Sequence, residues 1–447
     1  LTVTKEQLDH IIRVELGINP EDEVIDFELI ERKGDRERFD RAKEEYRRNL
    51  ETHPNRSEVA KRLYVGDELI LYIRNRHDRA TFNGIDENNA KYYPFCNIEE
   101  IKRIQHMQNA EDYLLKLRAD AIANNPRSIR IFLSRYNKNP TDWALSSFYE
   151  NTAFSRYIQK LPKNQATECR QVPAGFAYLR EPNGACIKSE FGNLIVISEA
   201  LEYFLFFMNI FIFSKGWEIS HKDSLSAFVI ATKTMLRTEP LDFDLDPRAS
   251  LPKKITRECW AMVRAQINFI IGHEYAHLLL GHLKGNAIAF DSLAMLGSAI
   301  SSSTKSKYYT PRQSQEFDAD VGSILHANYS DAETATNLDA AAIFFIGLDL
   351  FYTVDDYINP PINQIKTHPD PLDRIWHLRN AVHLARPGSQ QYSYPTDGLL
   401  SVIEAMNIFK KFLIENFLPV QIELLEDFQS VYLPSFHHQK LYDRFDY

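Results

Sequence analysis

The stretch IGHEYAHLLLGH, residues 271–282, places three histidines and a glutamate inside an apolar run. The segment ahead of it, CWAMVRAQINFI, is a helix pattern leading into a core. Imidazoles and a carboxylate cost several kcal/mol to bury unless something pairs them. A chain with this segment must therefore fold so that partners meet it there, and a metal ion is the natural one.

His273, Glu274 and His277 spell HExxH. Residues four apart share a helix face, so both imidazoles reach one ion while Glu274 lies beside it. Zinc takes two imidazoles, accepts a carboxylate as third ligand and leaves a fourth position for water. Gly272 and Ala276 keep the surroundings small, which lets a substrate or partner strand approach. His282 lies five positions past His277, about 140° off the ligand face. The longer zinc motif needs a histidine six past the second and a glycine three past, where Leu283 and Leu280 stand. His282 therefore reads as a helix-end residue.

The third ligand must come from another helix. QSQEFDADVGSILHA (313–327) offers Glu316, with Asp320 one turn later to orient a histidine ligand and Asp318 facing elsewhere. The competing reading is a pair of surface acids on an amphipathic helix. In KTHPDPLDRIWHLRNA (366–381), His368 precedes a proline that leads into a helix, and Arg374 follows six residues on. His368 is placed to donate to an oxyanion, and Arg374 to pair with Asp320. A helix-capping segment with an exposed histidine is the alternative.

The rest of the chain supplies the frame. Residues 1–65 carry interleaved charges and are expected as solvated helices, with a strand near 65–75 and amphipathic helices over 98–160. Gly and Pro then punctuate short apolar runs between 161 and 204, GFAYL, ACI and NLIVIS, which is strand-and-turn grammar. These shifts put a domain boundary near 160. Beyond it, helices are expected at about 256–282, 312–327, 332–355, 369–386 and 399–418. A Ser-rich loop falls between 285 and 310 and another at 385–398. Four separated cysteines contain no CxxC pair, which disfavours a cysteine zinc site and fits reduced thiols in a cytoplasmic protein. A net charge of −9 without a basic stripe argues against nucleic acid as a partner. LTVTKEQLDHIIRVELG has no signal-peptide apolar run. YFLFFMNIFIF (203–213) is shorter than the ~20 residues that span a bilayer. It reads as a buried helix.

HEYAHLLLGH, EFDADVGSI and THPDPLDRIWHL, in that order, resemble the three blocks of the gluzincin metallopeptidases related to the CAAX prenyl protease and the heat-shock membrane peptidase. The upstream GNLIVISEALEYF is similar to that family's edge strand and following helix, and the likeness covers about 190–380. A weaker similarity, in the HExxH helix alone, is to the phage-exclusion peptidase Lit. The resemblance implies His273, His277 and Glu316 as zinc ligands, Glu274 as general base and Asp320 supporting a ligand. NAIAFDSLAMLGSAISSS, where membrane relatives carry a hydrophobic span, is broken by Asp291, so a soluble variant without a membrane span is expected.

The fold expected is mainly α with a small β-sheet (α+β). A charged, mostly helical domain at 1–160 would serve recognition or regulation, with a regulatory protein as possible partner. A zincin-like metallopeptidase domain at 161–447 would end in a helical extension. The activity implied is zinc-dependent endopeptidase hydrolysis of a protein or peptide substrate, constitutive or latent until activated. Asn193, Leu194, Ile195, Val196 and Ile197 would bind that substrate as an added antiparallel strand, and His368 would stabilise the oxyanion. The rival is a non-catalytic zinc clip in an interaction or sensor protein, closed by a fourth ligand from His282 or His326.

Overall fold

The computed structural model describes residues 10–15, 23–29, 40, 41, 44, 48, 61–65, 69–75, 84–123, 126–138, 143–149, 152–179, 184–282, 311–360, 369–427, 429–436 and 443–446. The chain is mainly helical with small sheets. One sheet is antiparallel, in the order β2-β3-β1-β7, from β1 (Glu23–Leu29), β2 (Lys61–Val65), β3 (Leu69–Asn75) and β7 (Asp443–Asp446). Strands at 23–29 and 61–65 correct the expectation of helices throughout 1–65. In EVIDFEL the charges are one half of a period-two alternation with Ile25, Phe27 and Leu29, which interleaved charge alone disguises. The Ser-rich segment 285–310 lies outside the described residues.

The second sheet has three strands, β4 (Ala174–Ala177), β5 (Gly184–Ser189) and β6 (Gly192–Ser198), in the order β4-β6-β5. β6 pairs parallel with β4 and antiparallel with β5. It is therefore the inner strand.

Seven helices carry the argument that follows: α1 (Ala110–Ala123), α2 (Glu199–Phe213), α3 (His221–Met235), α4 (Lys253–Leu279), α5 (Pro311–Leu325), α6 (Asp331–Ile358) and α7 (Pro371–Ala385). Their starts are written in the sequence. Ser198, Ser220 and Asp370 each accept a backbone N–H of the first turn of α2, α3 and α7. Ser330 and Glu333 close a capping box on α6. α6 is long and apolar enough to cross a membrane, yet 78% of its most apolar stretch is buried inside the protein. α2, the aromatic stretch, is also buried, and Asn209 pairs its amide with Gln266 of α4.

One buried apolar cluster runs from Ile85 to Leu433. It takes in Phe132, Phe154 and Tyr157 together with Phe204, Ile270 and Phe345. All four cysteines are free and buried.

Candidate metal centre

α4 runs for 27 residues, and its last two turns carry HEYAHLL. It crosses α5 at Gly272. A Cβ there would sit 2.7 Å from the Ser323 carbonyl oxygen and 2.8 Å from the Tyr157 ring. The small residues expected to admit a substrate strand instead admit a helix. That approach brings Glu316 and Asp320, one turn apart on α5, against His273.

The Nε2 atoms of His273 and His277 lie 3.0 Å apart. Glu316 places Oε2 3.6 Å from the first and Oε1 3.4 Å from the second. Ligand atoms around a tetrahedral zinc with bonds of about 2.0–2.1 Å stand about 3.3 Å from one another. The three side chains thus form a buried His/His/Glu group that could hold a metal ion.

Their partners fix which atoms face inward. His273 Nδ1 lies 2.9 Å from Asp320 Oδ1, and a carboxylate there draws the ring proton to Nδ1. Nε2 is then a lone pair directed at His277 and Glu316. Asp320 is in turn gripped by two arms of Arg374 from α7, Nε at 2.8 Å and Nη2 at 2.7 Å. Arg374 Nη2 also lies 3.4 Å from Glu316. Burial alone would raise the Asp320 pKa, but the Arg374 charge and the bonds from His273 and Arg374 hold it below the ordinary value. Burial lowers the His273 pKa. For His277, burial is outweighed by the bond and charge of Glu316, and the pKa rises.

His282 stands at the helix end, as its spacing suggested, but makes a contact that the sequence did not suggest. Gly281 takes a positive φ of 74° after the helix cap. The His282 N–H bonds back to His277 O at 3.0 Å and the Gly281 N–H to Leu278 O at 3.1 Å. These are the two bonds of a Schellman turn. The turn folds His282 back until its Nδ1 is 2.8 Å from His277 Nδ1. It rests against His277 and is not one of the three side chains that could hold an ion. A glycine at the helix end followed by histidine was the only available signal.

Glu274 is buried beside the group, and burial pushes its carboxyl up to about 8. It accepts the backbone N–H of Cys186 in β5. A Cβ at Gly184 would sit 3.1 Å from Glu274 Oε1, so β5 lies directly against this carboxylate. That corrects the substrate strand. Asn193, Leu194, Ile195, Val196 and Ile197 belong to β6 and pair with β5, and Ile195, Val196 and Ile197 pair with β4 as well, so along those three no further strand can add. The outer strand beside Glu274 is β5. His368 lies outside the described residues. Asp318 is exposed, and His326 stands one residue past the end of α5, half-buried.

No family model, curated protein or solved structure matches this chain.

Proposed function

We propose that this chain is a zinc-dependent endopeptidase of the gluzincin kind, cutting protein or peptide substrates. The observation that carries the reading is the convergence of the His273 and His277 Nε2 atoms and the Glu316 carboxylate within one tetrahedral spacing, with Glu274 beside them. His273, His277 and Glu316 would hold the ion, and the ion would supply Lewis acidity toward water and a peptide carbonyl. Glu274 takes the proton of the attacking water and returns it to the leaving amine. Burial favours its neutral form, and a cation alongside draws it back to the carboxylate that a base must be. Asp320, held by Arg374, keeps His273 in the tautomer that ligates. An extended peptide lies along β5, the strand that touches Glu274. His368 is retained as the oxyanion donor within this proposal. Four buried thiols fit work in a reducing cytoplasm.

One observation favours a latent form of the same activity. His273, Glu274 and Glu316 are each at most 2% exposed, less than a peptide bond needs to reach them. An activating partner would then have to open the site, and residues 1–160 are where we place its contact.

The test is comparative. Cells expressing wild type and Glu274→Gln are analysed for new protein N-termini, and both proteins for zinc. Wild type should generate termini that the variant makes at least about 10²-fold more slowly. Zinc should stay near one per chain in both. Identical termini at identical rates, or loss of zinc from Glu274→Gln, would overturn the assignment. If wild type is silent, fractionated extracts are added as activators, and silence under every fraction counts against catalysis.

A further inference from the structure

A cavity of about 290 Å³ opens on the other side of the HExxH helix. Tyr275 lines it, and none of His273, His277 and Glu316 does. Arg118 of α1 lines it too. Arg118 is 4% exposed and Tyr275 fully buried. The Nη2 of Arg118 and the hydroxyl of Tyr275 have no hydrogen-bond partner. An unmade bond at a buried polar atom costs about 1–3 kcal/mol, and more at a charged one.

Both groups are held in place while they lack partners. Arg118 Nε donates to the Phe176 carbonyl at 2.8 Å, and the guanidinium lies over the Tyr149 ring at 4.6 Å. One arm of the fork is fixed and another is left over. The Tyr275 ring stacks on Tyr157 at 5.7 Å with planes 6° apart, which fixes the direction of its hydroxyl. Arg103 and Arg170 also line the cavity, against a single acid, Glu111. Arg103 is paired with Asp112, whereas Arg170 is exposed and has no ion pair among the described residues. Phe154 and Ile158 add apolar wall.

Buried donors without acceptors, the Arg118 and Arg170 guanidinium groups against the one lining carboxylate of Glu111, and an apolar wall together define the ligand. A carboxylate or phosphate accepts from a guanidinium fork and a phenol at once. The volume is at the small end for ligand sites. We propose that this cavity binds a small oxyanion-bearing molecule through Arg118 and Tyr275, with Arg170 at its mouth. Tyr275 lies between Glu274 and His277 in the chain, so the occupant rests on the turn that carries the metal group. The binding site itself stands whether or not the metal reading holds.

The experiment uses the full chain, with titration calorimetry and thermal melts in sodium phosphate and in sodium hexanoate. Sodium chloride at matched ionic strength is the control. At least one of the two anions should bind saturably and raise the Tm as ligand exceeds Kd. Hexanoate alone assigns a carboxylate with an apolar body, and phosphate alone assigns a phosphate. Tyr275→Phe should weaken binding by about tenfold or more, the size of a hydrogen bond to a charged group. It removes a hydroxyl that bonds nothing, so the fold should persist. Arg118→Gln should abolish binding. Saturable binding by neither anion, or unchanged affinity in either folded variant, would overturn the proposal. If Arg118→Gln fails to fold, Tyr275→Phe decides alone.

Discussion

Two buried polar clusters of this protein solve opposite problems. Around Arg248, the guanidinium is fully buried and every arm is answered from its own loop. Nε donates to Glu239 at 2.7 Å, Nη2 to Asp242 at 2.6 Å and to the Pro240 carbonyl, and Nη1 to the Asp246 carbonyl. Asp246 is closed off further by the Tyr432 hydroxyl at 2.6 Å. Around His273, by contrast, the Nε2 atoms of two imidazoles and the two oxygens of Glu316 face one another at 3.0–3.6 Å, with Asp320 and His282 against the outer ring nitrogens. The first cluster brings its cation within the sequence. The second has its own guanidinium, Arg374, on Asp320 and 3.4 Å from Glu316, and its His/His/Glu group could hold a further cation. Burial of charge is common to both and says nothing about function; the convergence of two imidazole nitrogens with a carboxylate is what marks the second.

The largest effect that separates them is on metal content. His273→Ala, His277→Ala and Glu316→Ala should each lose stoichiometric zinc after dialysis, since each removes one of three ligands. Chelation should lower the Tm of wild type and leave that of the three variants unchanged. Zinc retained in Glu316→Ala would remove Glu316 from the ligand set.

Arg248→Met should do the reverse. It leaves Glu239, Asp242 and Asp246 buried without their counter-charge, a loss of about 3–5 kcal/mol in urea unfolding. Zinc in its folded fraction should match wild type. Unchanged stability in Arg248→Met would mean that these acids take up protons freely, and the contrast would collapse.

Smaller effects should follow from the groups that hold ligands without ligating. Asp320→Asn should weaken zinc by about 10–100-fold while the fold survives. His282→Ala should fall near the lower end, about tenfold, because His277 also meets Glu316 directly. Equal affinity in His282→Ala and wild type would reduce the 2.8 Å contact to a bystander of the helix-ending turn.

How much of this the sequence discloses depends on how local each relation is. HExxH is read at once because a spacing of four encodes a shared helix face. Glu316, Asp320 and Arg374 are accessible because a lone HExxH demands a carboxylate and a carboxylate demands a counter-charge. The segment 193–197 is legible as a strand, but alternation says nothing about its rank in the sheet, which β4 and β5 decide. His282 escapes a reading by helical angle because the helix has already ended there, where Gly281 reverses the chain. The cavity is not readable at all, since Arg103, Arg118, Arg170 and Tyr275 are far apart in the chain and meet only through packing.

The crossing at Gly272 bears on time as well as geometry. With the Ser323 carbonyl where a side chain would be, α4 and α5 touch through their backbones, and neither helix turn can fluctuate away without the other. The amides of 272–277 and 316–323 should therefore open as one unit, with a shared free energy near that of the core. Departure of an ion held between those helices would wait on that opening, making its residence a property of the whole helical layer.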